Sequence, residues 1–229
     1  MHMPDGLINA PVSIGAGVLV AGAVAVSLKK TKGSLDSQTA PMAGLVAVFI
    51  FAAQMINFPV AAGTSGHLMG GALAAILVGP WVAVLVMTVV VGIQALVFAD
   101  GGLSALGINI LNMGIVTVIV GILVFAGLMK VLPKTKSSIV AASAIAAFLS
   151  VPASAAAWVF EYALGGTATY ELQTVFISVV GVHLLIGIGE AIITALTIAA
   201  ILATRADLVD GARKFLPKQK LVIKDSVVA

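Results

Sequence analysis

Between Asp36 and Asp100 the chain contains no Asp, Glu, Lys or Arg, and between Asp100 and Lys130 there is again none. Uncharged, apolar sequence of that length cannot be folded behind a charged, water-facing surface; it has to face hydrocarbon. Composition agrees, with 61% hydrophobic and 9% charged residues, against about 25% charged in soluble domains. In hydrocarbon every backbone N–H and C=O must be satisfied within the chain, which leaves helices or closed barrels. Apolar runs near the length of a spanning helix, without strict alternation, select helices.

Polar, Gly and Pro punctuation divides the 229 residues into apolar runs near 12–28, 42–57, 67–79, 81–99, 108–129, 138–157 and 173–203. The expected fold is an all-α polytopic membrane bundle of about seven transmembrane segments, with residues 1–203 as one domain and 204–229 as a basic cytoplasmic tail. The third run is too short to cross a core of about 30 Å at 1.5 Å per residue. It reads as an interrupted helix whose start is recessed in the bundle, as at transport sites. Gly187 and Gly189 would permit a bend in the last span. Lys29, Lys30 and Lys32, then Lys130, Lys134 and Lys136, then Arg205 and the basic residues after it all follow odd-numbered runs. The positive-inside rule therefore places the amino terminus outside and the carboxyl terminus in the cytoplasm. These basic residues report topology and not nucleic-acid binding. Ser13, Gly17, Ala21 and Ala25 recur every four residues on the first run, a small-residue face for an interface within the bundle or with another subunit.

The chain opens Met1-His2-Met3-Pro4-Asp5-Gly6. Residues 1–9 carry no Lys or Arg and so lack the basic start of a signal peptide; Met1 is read as the mature terminus. A histidine directly after a free α-amine can wrap three nitrogens round one divalent ion: the Met1 amine, the deprotonated His2 amide and the His2 imidazole. Nickel(II) and copper(II) suit such a tetragonal nitrogen set, while zinc prefers a tetrahedron. With no cysteine in the chain, thiolate ligands are excluded. His67, in the glycine-rich stretch Gly63-Thr64-Ser65-Gly66-His67-Leu68-Met69-Gly70-Gly71, is the best candidate for the fourth corner, although a buried histidine also serves simply as a hydrogen-bonding group. Asp5, Asn57, Thr64, Ser65, Gln94, Asp100, Asn109 and Asn112 are candidates to orient the imidazoles and the terminal loop. His183 and Glu190 are ionisable residues within the last span, suited to a proton path, to coupling or to polar packing. Protons should compete with the metal as pH falls, from about 8 for a free amine and about 6.5 for free imidazoles.

No Gly-x-x-x-x-Gly-Lys-Ser/Thr loop, His-Glu-x-x-His motif or nucleophile elbow occurs, so a non-enzymatic role is expected, with no ATP bound by this chain. The opening hexapeptide, Asn57-Phe58-Pro59-Val60, Gly63 to His67, Gly79-Pro80-Trp81, Gln94 to Gly102 and Leu106 to Met113 resemble the cobalt/nickel substrate-capture components of energy-coupling-factor transporters, the CbiM/NikM family. The resemblance covers about residues 1–203. It implies an extra amino-terminal helix added to a six-helix capture subunit, with the terminus inserted into the bundle. It also implies a near-square-planar nitrogen site matching Met1, His2 and His67. The partners implied are a transmembrane coupling subunit, two cytoplasmic ATPases and often a small accessory membrane protein, in the cell's inner or plasma membrane. Met3 stands where family members often carry isoleucine, and the Met-Pro-Asp-Gly start looks more like the nickel-associated subgroup. Nickel or cobalt is the expected transported substrate. A proton-coupled secondary transporter and a non-transporting metal sensor or scaffold are the competing readings.

Overall fold

The structure is a computed structural model that describes residues 1–33, 39–56, 58, 59 and 65–216. Helix α1 spans Ala10–Thr31, α2 Thr39–Gln54, α3 Gly71–Val78, α4 Pro80–Val97 and α5 Leu106–Ile110. A π-helical turn, Leu111–Val116, joins α5 to α6 (Thr117–Val131) without a break; α7 is Lys136–Gly165 and α8 Leu172–Thr204. A 3-10 turn at Ala206–Leu208 and the short α9, Asp210–Arg213, complete the described elements. Phe58–Pro59 (β1) and Ser65–Gly66 (β2) pair antiparallel, Phe58 with Gly66 and Pro59 with Ser65. Among the described residues five apolar stretches are long enough to cross a membrane: α1, α4, residues 106–131, α7 and α8. The protein is thus a polytopic helical bundle.

Local chemistry sets the helix ends. Asn9 caps α1 by accepting from the Val12 N–H at 3.1 Å, with Pro11 in the first turn. Gly79 (φ 82°) ends α3 and Pro80 opens α4 immediately after it, a reversal that only glycine followed by proline makes without strain. Thr135 caps α7 by accepting from Ser138 N–H.

Helix α3 is the centre of the bundle. All eight of its residues are buried, and it packs against α4, α6, α7 and α9. At about 12 Å it cannot cross the membrane alone. The sequence predicts a helix from residue 67, but residues 67–70 are non-helical and α3 starts only at Gly71. Gly70 adopts φ 83°, and a Cβ there would lie 2.7 Å from Ile50, so the chain stays open one turn longer than its hydrophobicity suggests.

Two further readings change. Helix α8 runs unbroken through Gly187 and Gly189; Gly187 instead admits α7, since a Cβ there would sit 3.1 Å from the Phe148 carbonyl oxygen. On α1 the small-residue face meets the bundle at Gly17, where a Cβ on Gly107 would lie 2.7 Å from the Gly17 Cα. Ala21 and Ala25 are exposed, and Ala16, Val20 and Ser27 make the buried face.

The first nine residues form a strap across one end of the bundle. The Gly102 N–H donates to Met3 O at 2.9 Å, Thr167 N–H to Leu7 O at 3.0 Å and Asn9 N–H to Gly165 O at 2.7 Å. The opposite end collects the basic side chains: Lys29 and Lys30 close α1, and Lys130 closes α6. There Lys136 Nζ donates to Leu202 O at 2.6 Å, and Lys134 Nζ lies 5.0 Å above the Phe215 ring. Residues 206–216 are folded onto this end, with Val209 and Ala212 buried.

Candidate metal centre

The strap carries Met1, His2 and Met3 into the interior, where they are 1%, 3% and 0% exposed. Met3 is gripped by its backbone: its N–H donates to Asn109 Oδ1 at 2.7 Å, and its carbonyl accepts from Asn109 Nδ2 at 3.1 Å and from Gly102 N–H. Asp5 accepts from both the N–H and the hydroxyl of Ser104, at 2.7 and 2.6 Å. Those two bonds hold its carboxyl below the usual range. The turn at Gly101 and Gly102 lies so close over the strap that a Cβ on Gly102 would be 2.3 Å from Asp5 N, and one on Gly101 (φ 93°) would be 2.9 Å from the His2 ring. Just before it, Ala99 is held at φ 51°, a conformation costing a non-glycine residue roughly 1–2 kcal/mol. That strain swings Asp100 over His2.

His67 enters from the extended segment before α3 and is fully buried. The two imidazoles face each other with centroids 4.8 Å apart. His67 Nε2 lies 3.2 Å from His2 Nδ1, which is also 3.0 Å from Asp100 Oδ1.

Which nitrogens carry protons follows from the neighbours. Leu68 O, an obligate acceptor, lies 2.6 Å from His67 Nδ1, so that nitrogen bears the proton and Nε2 presents a lone pair. For His2 the polarity is set further away. Met69 O accepts from Gln54 Nε2 at 2.6 Å, which turns Gln54 Oε1 toward Gln94 Nε2 at 2.9 Å. Gln94 Oε1 is thereby left for His2 Nε2 at 3.2 Å. His2 Nε2 is then a donor, while its Nδ1 faces two acceptors, Asp100 Oδ1 and the His67 Nε2 lone pair. A lone pair and a carboxylate oxygen therefore converge on His2 Nδ1, an arrangement that calls for a positive charge there, either a second proton on His2 or a metal ion in its place.

The same loop is fixed from behind by Glu190 on α8. Its carboxylate accepts from Met69 N–H at 2.6 Å and Gly70 N–H at 2.9 Å, the residues that follow His67 and open α3.

Burial disfavours the protonated form of each of these groups. It drives the Met1 amine from 8.0 down to about 4, against a smaller opposing pull from Asp100. It also lowers His2 below 6.5, countered in part by the Asp100 contact. His67 falls well below 6.5 through burial, then through the Met1 amine and His2. Free-solution values of about 8 and 6.5 thus do not apply to the docked strap.

Of the residues singled out in the sequence, the structure brings Met1, His2, His67, Gln94, Asp100 and Asn109 together, with Asp5 anchoring the strap beside them. Asn112 lies in the π-helical turn and donates to Glu161 on α7 at 2.6 Å, while its carbonyl accepts from Ser154. Asn57 and Thr64 lie outside the described residues, and of Ser65 only the backbone, in β2, is placed. Gln54, Ser104 and the clamp made by Glu190 were not foreseen. Gln54 was visible as an amide inside an apolar run, where a polar side chain must find a partner.

Fold and pocket define a multi-pass membrane protein whose own amino-terminal strap completes a buried, nitrogen-rich polar site. The chain belongs to the cobalt uptake substrate-specific transmembrane region family, whose model matches residues 2–208. It is 39% identical over 212 residues to a Haloquadratum walsbyi protein named for metal transport, covering 91% of this chain and 93% of that one. It is 34% identical to the cobalt transport protein CbiM of Sorangium cellulosum, over 82% of this chain and 84% of the relative. A fused nickel transport protein NikMN of Rhodobacter capsulatus is 42% identical over 55% of this chain and 36% of its own length. Among solved structures, a crystal structure of a transition metal transporter matches with TM-score 0.82 at 30% identity, covering 89% of this chain and 93% of that one. A truncated transition metal transporter gives 0.81 at 31%, over 89% and 99%.

Proposed function

We propose that this protein is the substrate-capturing membrane component of a nickel or cobalt uptake transporter. The ion is bound by the Met1 amine, the His2 amide and imidazole nitrogens and the His67 imidazole. The observation that carries this reading is the pair of imidazole nitrogens, His2 Nδ1 and His67 Nε2, 3.2 Å apart beside a buried terminal residue. Metal–imidazole bonds of about 2.0 Å place neighbouring ligands of a plane about 2.8 Å apart and opposite ones about 4 Å apart. The observed separation needs only a slight closure to make the two rings neighbours.

Charge balance supports the same assignment. A divalent ion in a low-dielectric interior needs two compensating negative charges. The deprotonated His2 amide supplies one, and Asp100, 3.0 Å from His2 Nδ1, supplies the other. Planar nitrogen coordination favours nickel(II) over zinc. The Sorangium relative is named for cobalt and the Rhodobacter relative for nickel, and the choice between the two ions is one of geometry and supply.

The chain works as a non-catalytic subunit of the cell's inner or plasma membrane, with its amino-terminal strap outside. Energy comes from a transmembrane coupling subunit and two cytoplasmic ATPases, accompanied by a small accessory membrane protein. The absence of a phosphate-binding loop from the sequence supports this division of labour. Two buried backbone N–H groups occupy the Glu190 oxygens, which favours a clamp over a freely titrating proton carrier.

Calorimetry and visible spectra on untagged protein, whose first residue is verified by intact mass, test the proposal. Nickel(II) should bind tightly and give the yellow band of a planar complex. One alanine added before Met1 moves the amine off its place and should abolish most of the affinity; unchanged binding overturns the chelate.

A further inference from the structure

His183 lies in α8 and is completely buried. Its Nδ1 is 2.6 Å from the Val179 carbonyl one turn earlier, so Nδ1 carries the proton and Nε2 a lone pair. Among the described residues that Nε2 is buried without a hydrogen-bond partner. Leaving such an acceptor unsatisfied costs about 1–3 kcal/mol, a cost that calls for an explanation.

The register of α8 places this atom. Glu190, seven residues on, holds Met69 and Gly70, so His183 lies about 10 Å back along the helix toward the strap. The extended chain from Met69 back to Gly66 covers about the same distance, and α8 packs against β2, which ends at Gly66. His183 is therefore level with Gly66, the residue next to His67. It is close enough to contribute to the depression of the His67 imidazole.

Resting on the metal-capture reading above, we infer that His183 is the exchange ligand of the site: its Nε2 attacks the bound ion and lets His67 depart. A four-nitrogen chelate that holds an ion tightly is slow to release it, and planar complexes exchange ligands fastest when a fifth donor enters first. In this step one metal–Nε2 bond forms to His183 and one breaks to His67. Both rings stay neutral, and no proton or electron is transferred. The freed His67 keeps its proton on Nδ1, against Leu68 O, and can swing away with its loop. Because the same path serves entry, His183 speeds capture and release alike and leaves the equilibrium nearly unchanged.

The experiment is stopped-flow transfer of bound nickel(II) to excess EDTA, alongside equilibrium titration, in wild type, His183→Gln and His183→Phe. Gln removes the ring; Phe keeps its bulk without nitrogen, so a loss of packing in one variant does not leave the question open. Both variants should transfer metal at least tenfold more slowly with affinity within about threefold of wild type, and imidazole added to His183→Gln should restore the rate. Unchanged transfer rates in both overturn the inference. So does loss of the planar band or of affinity, which makes His183 a resting ligand or a structural prop. If the wild type itself lacks the planar band, the capture reading fails first.

Discussion

The two ends of this bundle treat polarity in opposite ways. At the basic end, charged groups pair in the open: Arg205 meets Asp207 at 2.8 Å with side chains 57% and 48% exposed. At the strap end the polar groups are buried, and burial disfavours the protonated forms of the Met1 amine, His2 and His67. The contrast shows what burial is for in this molecule. Exposed charges are cheap to keep and carry little energy, whereas desolvated lone pairs with fixed direction have few ways to be satisfied, and a metal ion is one.

The contrast can be broken most severely at His67. Replacing it with alanine removes a proposed ligand and should cost more nickel(II) affinity than the roughly 100-fold upper range of outer-partner changes, with loss of the planar band; full retention by calorimetry would remove His67 from the ligand set. Gln54→Met comes next. It keeps the length of the side chain but removes the donor to Met69 O, so nothing orients the Gln94 amide to accept from His2 Nε2 and leave Nδ1 to the metal. Affinity should fall about 10- to 100-fold with the melting temperature of the apo-protein largely kept; an unaltered affinity means that His2 chooses its tautomer without the relay.

A smaller, graded effect is expected from pH. The Met1 amine titrates at about 4 when buried and at 8.0 when free, so the undocked strap binds more protons throughout that window. Docking therefore strengthens as pH rises from about 4 to about 8, and levels off above it. Spin-label distances between residues 6 and 169 should be narrow at pH 8 and broaden at pH 5; identical distributions would show that burial does not govern the strap. The smallest effect belongs to the other end. Arg205→Gln should leave nickel(II) affinity unchanged in calorimetry, and a measurable loss would show that the two ends are coupled.

Much of this was legible from residue types. The uncharged stretches announced membrane helices, the short third run announced a helix recessed in the bundle, and a histidine next to the first amine marked the opening segment as a candidate site. What was not legible depends on distant partners. The clamp from Glu190 to Gly70 joins residues 120 positions apart, and nothing local to either residue encodes it. Gln54 is visible in the sequence only as an amide in an apolar run, because its meaning lies in the direction of that amide, which the Met69 carbonyl decides. The small-residue face of α1 was legible as an alignment but not in its direction: Gly17 meets Gly107 inside the bundle, whereas Ala21 and Ala25 are exposed, which leaves a contact with another subunit as the alternative for them.

The bonds that tie down the strap also fix when the site can exist. A ribosome makes residues 1–9 first, yet Gly6 is held by Thr167, 161 positions later, and Asn9 by Gly165. Until the seventh helix has been synthesised and inserted, the opening segment has its inner anchors at Gly102, Ser104 and Asn109 but none for Gly6, Leu7 or Asn9. The strap is therefore completed late in biogenesis, and a chain truncated before residue 165 would hold the opening motif by its inner residues alone.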